Sequence, residues 1–374
     1  MIIRRKIFDR IKEVFLKGKI IIIYGARQVG KTTLVKEIIK NFDGKSIYLN
    51  CDEPDIRDEL TDKTSTELKS FIGNNTLVVI DEAQRIKNIG ITLKLLVDNF
   101  KDIQIIATGS SSFDLSNSII EPLTGRKFEF FLYPISINEL SGEYNAIEIK
   151  RLIEKRIIFG MYPEVITNSD IGESVLKEIT KSYLYKDILQ FNNIRNHYAL
   201  EKLLKALALQ AGNEVSYTEL AQIVGIDKKT IETYIEILEK SFIVYRLNPY
   251  SSNRRNELKR MRKIFFWDTG IRNALINNLN SFDIRNDVGT LWENFAINEM
   301  IKNSANDGIS KNSYFWRNLQ KQEIDYIEEI NGSLTCYEIK WNKDTSKKPK
   351  EFMENYKVEN INIINKHNFT DYWV

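Results

Sequence analysis

The chain has 374 residues, more than one ordinary hydrophobic core accommodates, so two or three domains are expected. Hydrophobic residues make up 43% and charged residues 28%, as in ordinary globular proteins. The net charge of +3 arises from 54 basic and 51 acidic residues, which excludes a uniformly basic nucleic-acid-binding surface and leaves room only for a local basic patch.

Cysteine spacing and hydropathy bear on location. The two cysteines, Cys51 and Cys336, have no metal-ligand spacing, and reduced thiols in a cytoplasmic protein are the simple interpretation. No apolar run approaches the ~20 residues that a membrane helix needs. Charged residues between Arg4 and Arg10 also interrupt any signal peptide. We therefore expect a cytoplasmic protein with no membrane partner.

The chain begins with an amphipathic pattern over residues 2–17, which predicts a helix, and continues with a buried strand over residues 20–23. The next run, GARQVGKTT, precedes a segment with helical spacing and matches the phosphate-loop pattern G-x-x-x-x-G-K-[ST] completely. Its glycines let backbone N–H groups converge on a phosphate, Lys31 can reach the β- and γ-phosphates, and Thr32 can hold Mg²⁺. Mg²⁺-ATP is the expected ligand. The predicted nucleotide-binding residues are Gly25, Ala26, Arg27, Gln28, Val29, Gly30, Lys31, Thr32 and Thr33.

Two acidic residues follow a later strand. Residues 45–50 predict the second strand and residues 75–80 the third, which runs directly into Asp81 and Glu82 about 50 residues after the phosphate loop. This is the pattern of a Walker B strand. Asp81 is the predicted Mg²⁺ ligand and Glu82 the residue that orients or deprotonates the attacking water. Further strands are predicted over residues 103–108 and 128–134, so this part is α/β with a mainly parallel sheet.

Five segments of the chain, GARQVGKTTL, VVIDEAQ, ATGSSS, LTGRKFEF and YPISINEL, resemble a prokaryotic AAA+-type ATPase family. Its members carry a C-terminal domain of formerly unknown function, and the resemblance covers nearly the whole chain. It implies that Ser110 is a polar sensor beside the γ-phosphate, with Thr108 as the alternative. Arg126 is either an arginine finger directed at a neighbouring γ-phosphate or an ordinary surface arginine. A finger acting on a second copy would imply a dimer or a ring.

A helix-rich stretch, residues 141–198, is predicted to be a lid or linker, and residues 199–267 have the pattern of a winged helix. Helices are expected over 199–210, 216–224 and 227–239, and strands over 243–247 and 264–267. The hairpin between the strands is basic, which suits contacts with DNA phosphates, although a role in packing or protein contacts remains the alternative. The predicted DNA-contacting residues are Lys228, Lys229, Arg254, Arg255, Lys259, Arg260 and Arg262, and Lys263 belongs to the same basic run.

Residues 268–374 are predicted to form an α/β domain like the restriction endonucleases. A helix carries Glu293. Asp325 and Glu338 lie on neighbouring strands, and Lys340 shares a strand face with Glu338. This is the arrangement of PD-(D/E)xK nucleases, in which the three acids would bind Mg²⁺ or Mn²⁺ and Lys340 would orient water. A surface lined with salt bridges is the simpler alternative.

The sequence thus predicts four segments: a P-loop ATPase domain over 1–140, a lid over 141–198, a winged helix over 199–267 and a nuclease-like domain over 268–374. The expected function is Mg²⁺-dependent ATP hydrolysis coupled to DNA binding, with possible cleavage of DNA. The alternative is a nucleotide-switched regulator that binds DNA or protein and cuts nothing.

Overall fold

The computed structural model describes residues 2–110, 121–189, 196–251, 262–345 and 349–374, with the side chains of 182–189 left aside. The described chain forms two compact units. One consists of Arg4–Pro134 with Lys240–Phe242, and the other is principally Ile135–Glu239 and Ile243–Val374. Among the described residues, no helix has both the length and the apolar character needed to cross a bilayer.

The first unit is a parallel sheet with helices. Its strands lie in the order β2-β3-β4-β1-β5, and the described pairings are all parallel. Strands β1 and β3 are buried along their whole length, as the continuous apolar runs predict for a parallel sheet. The elements are α1 (Ile7–Glu13), β1 (Ile20–Tyr24), α2 (Lys31–Lys40), β2 (Ser46–Asn50), α3 (Pro54–Leu60), α4 (Ser65–Ile72), β3 (Leu77–Asp81), α5 (Ile89–Asn99), β4 (Gln104–Gly109) and β5 (Lys127–Phe131).

The first helix is shorter than predicted. The amphipathic pattern covers residues 2–17, but α1 spans only Ile7–Glu13. Its buried face consists of Ile7, Phe8 and Ile11. After the helix, Leu16 adopts a left-handed conformation with φ of 54°, and Gly18 follows with φ of 68°. These two turn conformations end the helix before the apolar pattern ends, because they direct the chain into β1.

The second unit combines helices with a mixed sheet. Its helices are α6 (Ile137–Leu140), α7 (Ala146–Phe159), α8 (Pro163–Thr167), α9 (Gly172–Leu189), α10 (His197–Leu209), α11 (Tyr217–Val224), α12 (Lys228–Lys240), α13 (Thr269–Leu275), α14 (Val288–Asp307), α15 (Lys350–Tyr356) and α16 (Thr370–Trp373). Its strands are β6 (Glu214–Val215), β7 (Val244–Pro249), β8 (Arg262–Phe266), β9 (Asn312–Arg317), β10 (Glu323–Ile330), β11 (Ser333–Ile339) and β12 (Ile361–Ile364).

One sheet joins two segments that the sequence predicts as separate domains. Seven strands lie in the order β12-β11-β10-β9-β7-β8-β6. Strand β7 pairs in parallel with β9, matching Asn248 with Tyr314 and Pro249 with Phe315. The predicted boundary between residues 267 and 268 therefore does not divide this sheet. The strands of the predicted winged helix and those of the C-terminal segment belong to this one sheet.

Helix α14 packs on this sheet through large aromatic side chains. Trp292 is fully buried and stacks on Phe295, with ring centroids 6.2 Å apart. It also contacts Trp341, Phe369 and Trp373 at centroid distances of 5.2, 6.0 and 5.6 Å. Buried aromatic groups of this size supply much of the apolar area of a core. The same helix carries Glu293, so the packing of Trp292 fixes the position from which that carboxylate extends.

Candidate functional site

The phosphate loop has the backbone geometry that its two glycines predict. Gly30 has φ of 97°, a conformation that L side chains rarely adopt, and α2 begins at the next residue. A Cβ atom at position 25 would lie 2.3 Å from the carbonyl oxygen of Leu132, so Gly25 cannot be replaced without a backbone shift. Lys31 is 5% exposed, and its Nζ donates to the carbonyl oxygens of Gly25 and Ala26 at 2.9 Å each. The loop thus holds its own lysine beside the predicted phosphate position.

Asp81 is surrounded by hydroxyl donors at the end of β3. Thr32 donates to its Oδ2 at 2.8 Å, so the two predicted Mg²⁺ ligands are in direct contact. Tyr48, on β2, donates to the same oxygen, and Thr108, on β4, donates to Oδ1. The carboxylate is therefore held by three neighbouring segments of the unit. Hard oxygen atoms at this position suit Mg²⁺ bound together with ATP phosphates.

Glu82 follows in a left-handed conformation with φ of 55°. Its backbone N–H donates to the Thr108 hydroxyl at 3.1 Å, and its carboxylate accepts a hydrogen bond from Gln84. The Gln84 amide also donates to the Ser110 hydroxyl at 3.0 Å. Thr108 thus contacts the Asp81 carboxylate and the Glu82 backbone directly, whereas, among the described residues, Ser110 is linked to Glu82 through Gln84.

Two residues that support this site were not predicted. Tyr48 contacts Asp81 as described, and Arg5 donates to the carbonyl oxygens of Val29 and Tyr133 at 2.8 and 2.6 Å. Arg5 is 6% exposed and thereby holds the phosphate loop from behind. Neither residue belongs to a local motif, because each reaches the site through pairing of segments far apart in sequence.

Arg126 lies just before the start of β5, whereas the phosphate loop follows the end of β1. Strand β5 pairs with β1 so that Lys127 lies opposite Ile20 and Phe131 opposite Tyr24. The phosphate loop follows Tyr24, whereas Arg126 precedes Lys127. Its Nε donates to Asp98 at 2.7 Å, an ion pair in which both side chains are more than a third exposed. Arg126 is therefore not brought to the phosphate loop of its own chain.

A second group of acids lies in the C-terminal part of the sheet. Strands β10 and β11 form a hairpin in which Tyr326 lies opposite Tyr337, and the turn residues Asn331 and Gly332 have φ of 52° and 83°. The register places Asp325 opposite Glu338. The Lys340 Nζ lies 2.7 Å from Asp325 and 2.9 Å from Glu338. Three of the four residues predicted from the nuclease-like pattern are thus linked through the Lys340 ammonium.

Glu293 joins them from α14, and Glu323, which was not predicted, joins from β10. Carboxylate oxygens of Glu293, Glu323 and Asp325 lie within 4.8 Å of one another. We call these three residues and Glu338 the carboxylate cluster. Glu323 precedes Asp325 by two positions on the same strand, so the strand alternation that identified the other pair could also have identified this one.

Lys263 corrects the interpretation of the basic hairpin. The sequence assigns it to the exposed basic run, but it is only 3% exposed, and its Nζ lies 2.8 Å from Glu293 and 2.5 Å from Glu323. It also lies 5.3 Å from the centre of the Phe315 ring. Lys263 is therefore a buried member of the C-terminal site and cannot contact DNA phosphates from that position.

The charges of this site shift the pKa values of its members. Burial raises the pKa of Glu293 to about 7, with Lys263 opposing the shift and Asp325 adding to it. Burial likewise raises the pKa of Glu338 to about 7, and the charge of Asp325 adds to the shift. For Lys263, burial alone would lower the pKa, but the surrounding carboxylates outweigh it and the pKa is raised. For Lys340 too, burial alone would lower the pKa, but Asp325 outweighs burial and the pKa is raised.

The donor set fits a hard divalent cation. Carboxylate oxygens are the ligands that Mg²⁺ and Mn²⁺ prefer, and three of the four acids, Glu293, Glu323 and Asp325, converge from a helix and a strand. Two ammonium groups, those of Lys263 and Lys340, bind the same carboxylates. Four carboxylates against two ammonium groups leave a net charge of −2 when all are ionised, and a divalent cation would compensate that charge.

The predicted DNA-contacting residues are described only in part. Lys228 and Lys229 are exposed at the start of α12, and Arg262 is half-buried at the start of β8. The acids of α12 lie nearby, and Glu239 forms an ion pair with Arg246. The other predicted members, Arg254, Arg255, Lys259 and Arg260, lie outside the described residues.

Comparison with known proteins identifies the class of the first unit. Residues 17–141 match a family described as "AAA domain". The fold is similar to that of the Walker-type ATPase paby2304 of Pyrococcus abyssi, with a TM-score of 0.51 and 16% identity, covering 73% of this chain and 96% of that one. With the phosphate loop and Asp81 in contact through Thr32, these findings support a P-loop ATPase with a nucleotide-binding domain of the AAA type.

The remainder matches families whose descriptions assign no activity. Residues 150–281 and 288–371 match domains of unknown function, DUF8612 and DUF4143. Relatives include the uncharacterized protein MJ1544 of Methanocaldococcus jannaschii, 26% identical over 96% of this chain and 85% of the relative. The uncharacterized protein Rv2008c of Mycobacterium tuberculosis is 25% identical over 91% of this chain and 74% of its own length.

Proposed function

We propose that the chain hydrolyses Mg²⁺-ATP in its first unit, binds DNA through a winged helix and cuts DNA at the carboxylate cluster. For ATP hydrolysis, Lys31 binds the transferred phosphate, Thr32 and Asp81 hold Mg²⁺, and Glu82 orients the attacking water. The observation that carries this assignment is the 2.8 Å contact between Thr32 and Asp81, which brings the two halves of a nucleotide-bound magnesium site together.

The ATPase proposal is tested by Lys31→Ala and Glu82→Gln. We expect Lys31→Ala to abolish ATP binding and Glu82→Gln to retain binding while losing turnover by at least about 100-fold, because only the second leaves the phosphate contacts intact. Phosphate release and binding of a fluorescent ADP analogue measure the two effects. Turnover that neither substitution changes would contradict the assignment.

The winged-helix proposal is supported by the order of elements from α10 to β8. The order is helix, strand, helix, helix, strand and strand, and β6 pairs with β8, which pairs with β7. Exposed Lys228 and Lys229 begin α12, the helix that would face DNA. We expect binding of duplex DNA to weaken steeply with salt and to weaken further on reversing the charge of Arg254, Arg255 and Arg260. Binding that survives those reversals would contradict a DNA-contacting hairpin.

The nuclease proposal rests on Lys340, whose ammonium bridges Asp325 and Glu338. A bound Mg²⁺ or Mn²⁺ would polarise a phosphate oxygen and lower the pKa of a coordinated water. The acids of the cluster would hold that ion, and Lys340 would orient water and stabilise the negative charge that develops on phosphate.

Plasmid cleavage with Mn²⁺ tests this proposal. We expect cleavage by the natural protein and none by Asp325→Asn, which preserves shape but removes a ligand charge. Glu329→Gln is the matched control, because Glu329 lies on the same strand and its carboxylate accepts a hydrogen bond from Asn312, which lies outside the cluster. Equal cleavage by Asp325→Asn, or none by the natural protein with or without ATP, would contradict nuclease activity.

A second candidate is a nucleotide-switched regulator that binds DNA or protein without cutting. The observation that favours it is that both pairs of carboxylates are held by lysine side chains, Glu293 and Glu323 by Lys263 and the other pair by Lys340. ATP-dependent DNA binding without cleavage would support this candidate.

A homo-oligomer, either a dimer or a ring, is proposed from Arg126. Arg126 lies at the end of the strands opposite to its own phosphate loop. Any stabilisation of a γ-phosphate by this residue therefore requires a second copy. We expect the molecular mass in solution to increase with ATP and Arg126→Ala to lose turnover without losing ATP binding. A monomer under all nucleotide conditions would contradict the proposal.

A further inference from the structure

Lys263 occupies a central position in the carboxylate cluster, although it belongs to the strand pair that ends the predicted winged helix. It lies on β8, paired with Glu214 on β6 and Leu247 on β7. Its Nζ reaches across the sheet to Glu293 and Glu323 at 2.8 and 2.5 Å. With 3% exposure, this ammonium is sealed from solvent, so the carboxylates rather than water compensate its charge.

The carboxylate oxygens around this ammonium have separations that approach those of a metal site. Ligands around Mg²⁺ lie about 2.0–2.1 Å from the ion, so neighbouring ligand oxygens are separated by roughly 3 to 4 Å. Oxygens of Glu293, Glu323 and Asp325 all lie within 4.8 Å of one another. Small side-chain rotations would close that difference, but an ammonium and a divalent ion cannot occupy the same space, and their like charges repel at such short range.

Lys340 does not share this arrangement. It is 36% exposed, and its Nζ pairs with Asp325 and Glu338, whereas Lys263 pairs with Glu293 and Glu323. The cluster therefore has two cation positions, one at Asp325 and Glu338 and the other at Glu293 and Glu323. One is open to solvent beside Lys340, and the other is closed by a buried lysine.

We infer that Lys263 is a built-in cation that excludes one divalent ion from the carboxylate cluster, so that removing its charge adds one ion equivalent at Glu293 and Glu323. Lys263 is thus a positioning residue that sets the number of ions. The inference rests on the proposed metal-binding function of the cluster, but it concerns the difference between two forms of the protein. That difference can be measured whether the natural cluster binds one ion or none.

The experiment is a titration of the full chain with Mn²⁺ without nucleotide, with free Mn²⁺ followed by electron paramagnetic resonance. The forms compared are the natural protein and Lys263→Met. Any ion bound near Asp81 is common to both and cancels in the difference. Lys311→Met is the matched control, because Lys311 is a lysine 5% exposed that pairs with Glu328 outside the cluster. We expect one additional Mn²⁺ equivalent for Lys263→Met and no change for Lys311→Met.

A further variant locates the added ion. Lys263→Met combined with Glu323→Gln is expected to lose the gained equivalent, because a ligand of the closed position is removed. The same number of ions in Lys263→Met and the natural protein would overturn the inference. So would a gain that the Glu323→Gln substitution leaves unchanged.

Folding and the proposed function are controlled separately. Lys263→Gln retains a donor for Glu293 and repeats the test if the methionine variant does not fold. Asp325→Asn in the otherwise natural protein tests the proposed function, because an unchanged ion count there means that the natural cluster binds no ion. If the natural cluster binds no ion, an additional Mn²⁺ equivalent in Lys263→Gln still supports the inference. An unchanged Mn²⁺ count in Lys263→Gln overturns it.

Discussion

Thr108, rather than Ser110, is expected to be the residue at the end of β4 on which ATP hydrolysis depends most. Its hydroxyl has no exposed surface, donates to Asp81 and accepts from the backbone N–H of Glu82 at 3.1 Å. It therefore orients the Asp81 carboxylate and holds the backbone of Glu82. Among the described residues, the bond that Ser110 accepts, at 3.0 Å, comes from the neutral amide of Gln84. The substitutions Thr108→Val and Ser110→Ala remove these hydroxyls with little change of shape.

The expected magnitudes follow from the partners. A hydrogen bond to a charged group contributes about 1.5–3 kcal/mol, which corresponds to roughly 10- to 150-fold in rate if the bond is needed to align Asp81 in the transition state. A neutral bond contributes about 0.5–1.5 kcal/mol, or roughly 2- to 10-fold. We therefore expect Thr108→Val to lower kcat about 100-fold and Ser110→Ala less than 10-fold. Thr108→Ser keeps the hydroxyl and should stay within a few-fold of the natural protein.

The assay is steady-state release of phosphate from Mg²⁺-ATP, which gives kcat and KM for each variant. Binding of a fluorescent ADP analogue without Mg²⁺ should be unchanged in all three, because the contacts altered are not phosphate contacts. Thermal unfolding followed by circular dichroism shows whether a loss of activity is a loss of folding. The reasoning is refuted if Ser110→Ala lowers kcat as much as Thr108→Val in variants that remain folded.

Three further predictions concern pH, a buried ion pair and the phosphate loop. With chelator present, burial and nearby carboxylates hold the pKa of Glu293 and Glu338 near 7, so the folded protein binds protons that the unfolded chain has released. The free energy of unfolding should then fall by roughly 4 kcal/mol from pH 5.5 to 7.5, and by about half as much in Glu293→Gln. Urea unfolding followed by tryptophan fluorescence measures this free energy, since all five tryptophans lie at residue 267 or beyond. A free energy of unfolding that rises over this pH range would contradict the prediction. Lys302 is 2% exposed and pairs with fully buried Glu299 at 2.9 Å. Lys302→Met should therefore lower the free energy of unfolding by about 3–5 kcal/mol in the same measurement, because it leaves a buried charge unpaired. Adding Glu299→Gln should recover part of that loss. Gly25→Ala should abolish ADP binding, because its Cβ would lie 2.3 Å from a backbone carbonyl oxygen; normal binding would show that the loop can shift.

The nucleotide site follows from local sequence to an unusual degree. The third strand is predicted at 75–80 and found at Leu77–Asp81, because a run of apolar residues in a parallel sheet is buried on both faces and its end is marked by acids. The sequence pattern of the loop is likewise local, because it consists of the glycines, Lys31 and the helix that follows. By contrast, Tyr48 contacts Asp81 through the pairing of β2 with β3, and nothing in its own segment distinguishes it from other strand tyrosines.

The C-terminal site shows where local reasoning stops. The hairpin of β10 and β11 is close in sequence, so strand alternation and one turn bring Asp325 to Glu338. The pairing of β7 with β9 joins segments about 60 residues apart, and strand patterns do not specify distant partners. Lys263 therefore looks like one more exposed lysine of a basic hairpin. Its burial depends on carboxylates 30 and 60 residues further along the chain.

The charge balance of the carboxylate cluster separates a metal site from a cluster of salt bridges. Its net charge of −2 with all groups ionised can be relieved by protons, which is why the pKa of Glu338 and that of Glu293 are raised. A bound divalent ion relieves the same charge and favours the ionised carboxylates instead. If the cluster binds metal beside Lys340, saturating Mn²⁺ should reduce the fall in stability between pH 5.5 and 7.5, because Glu338 is then ionised in both the folded and the unfolded state. A slope that Mn²⁺ does not change would mean that the lysines alone balance the acids, and the regulator without nuclease activity would then be the better account.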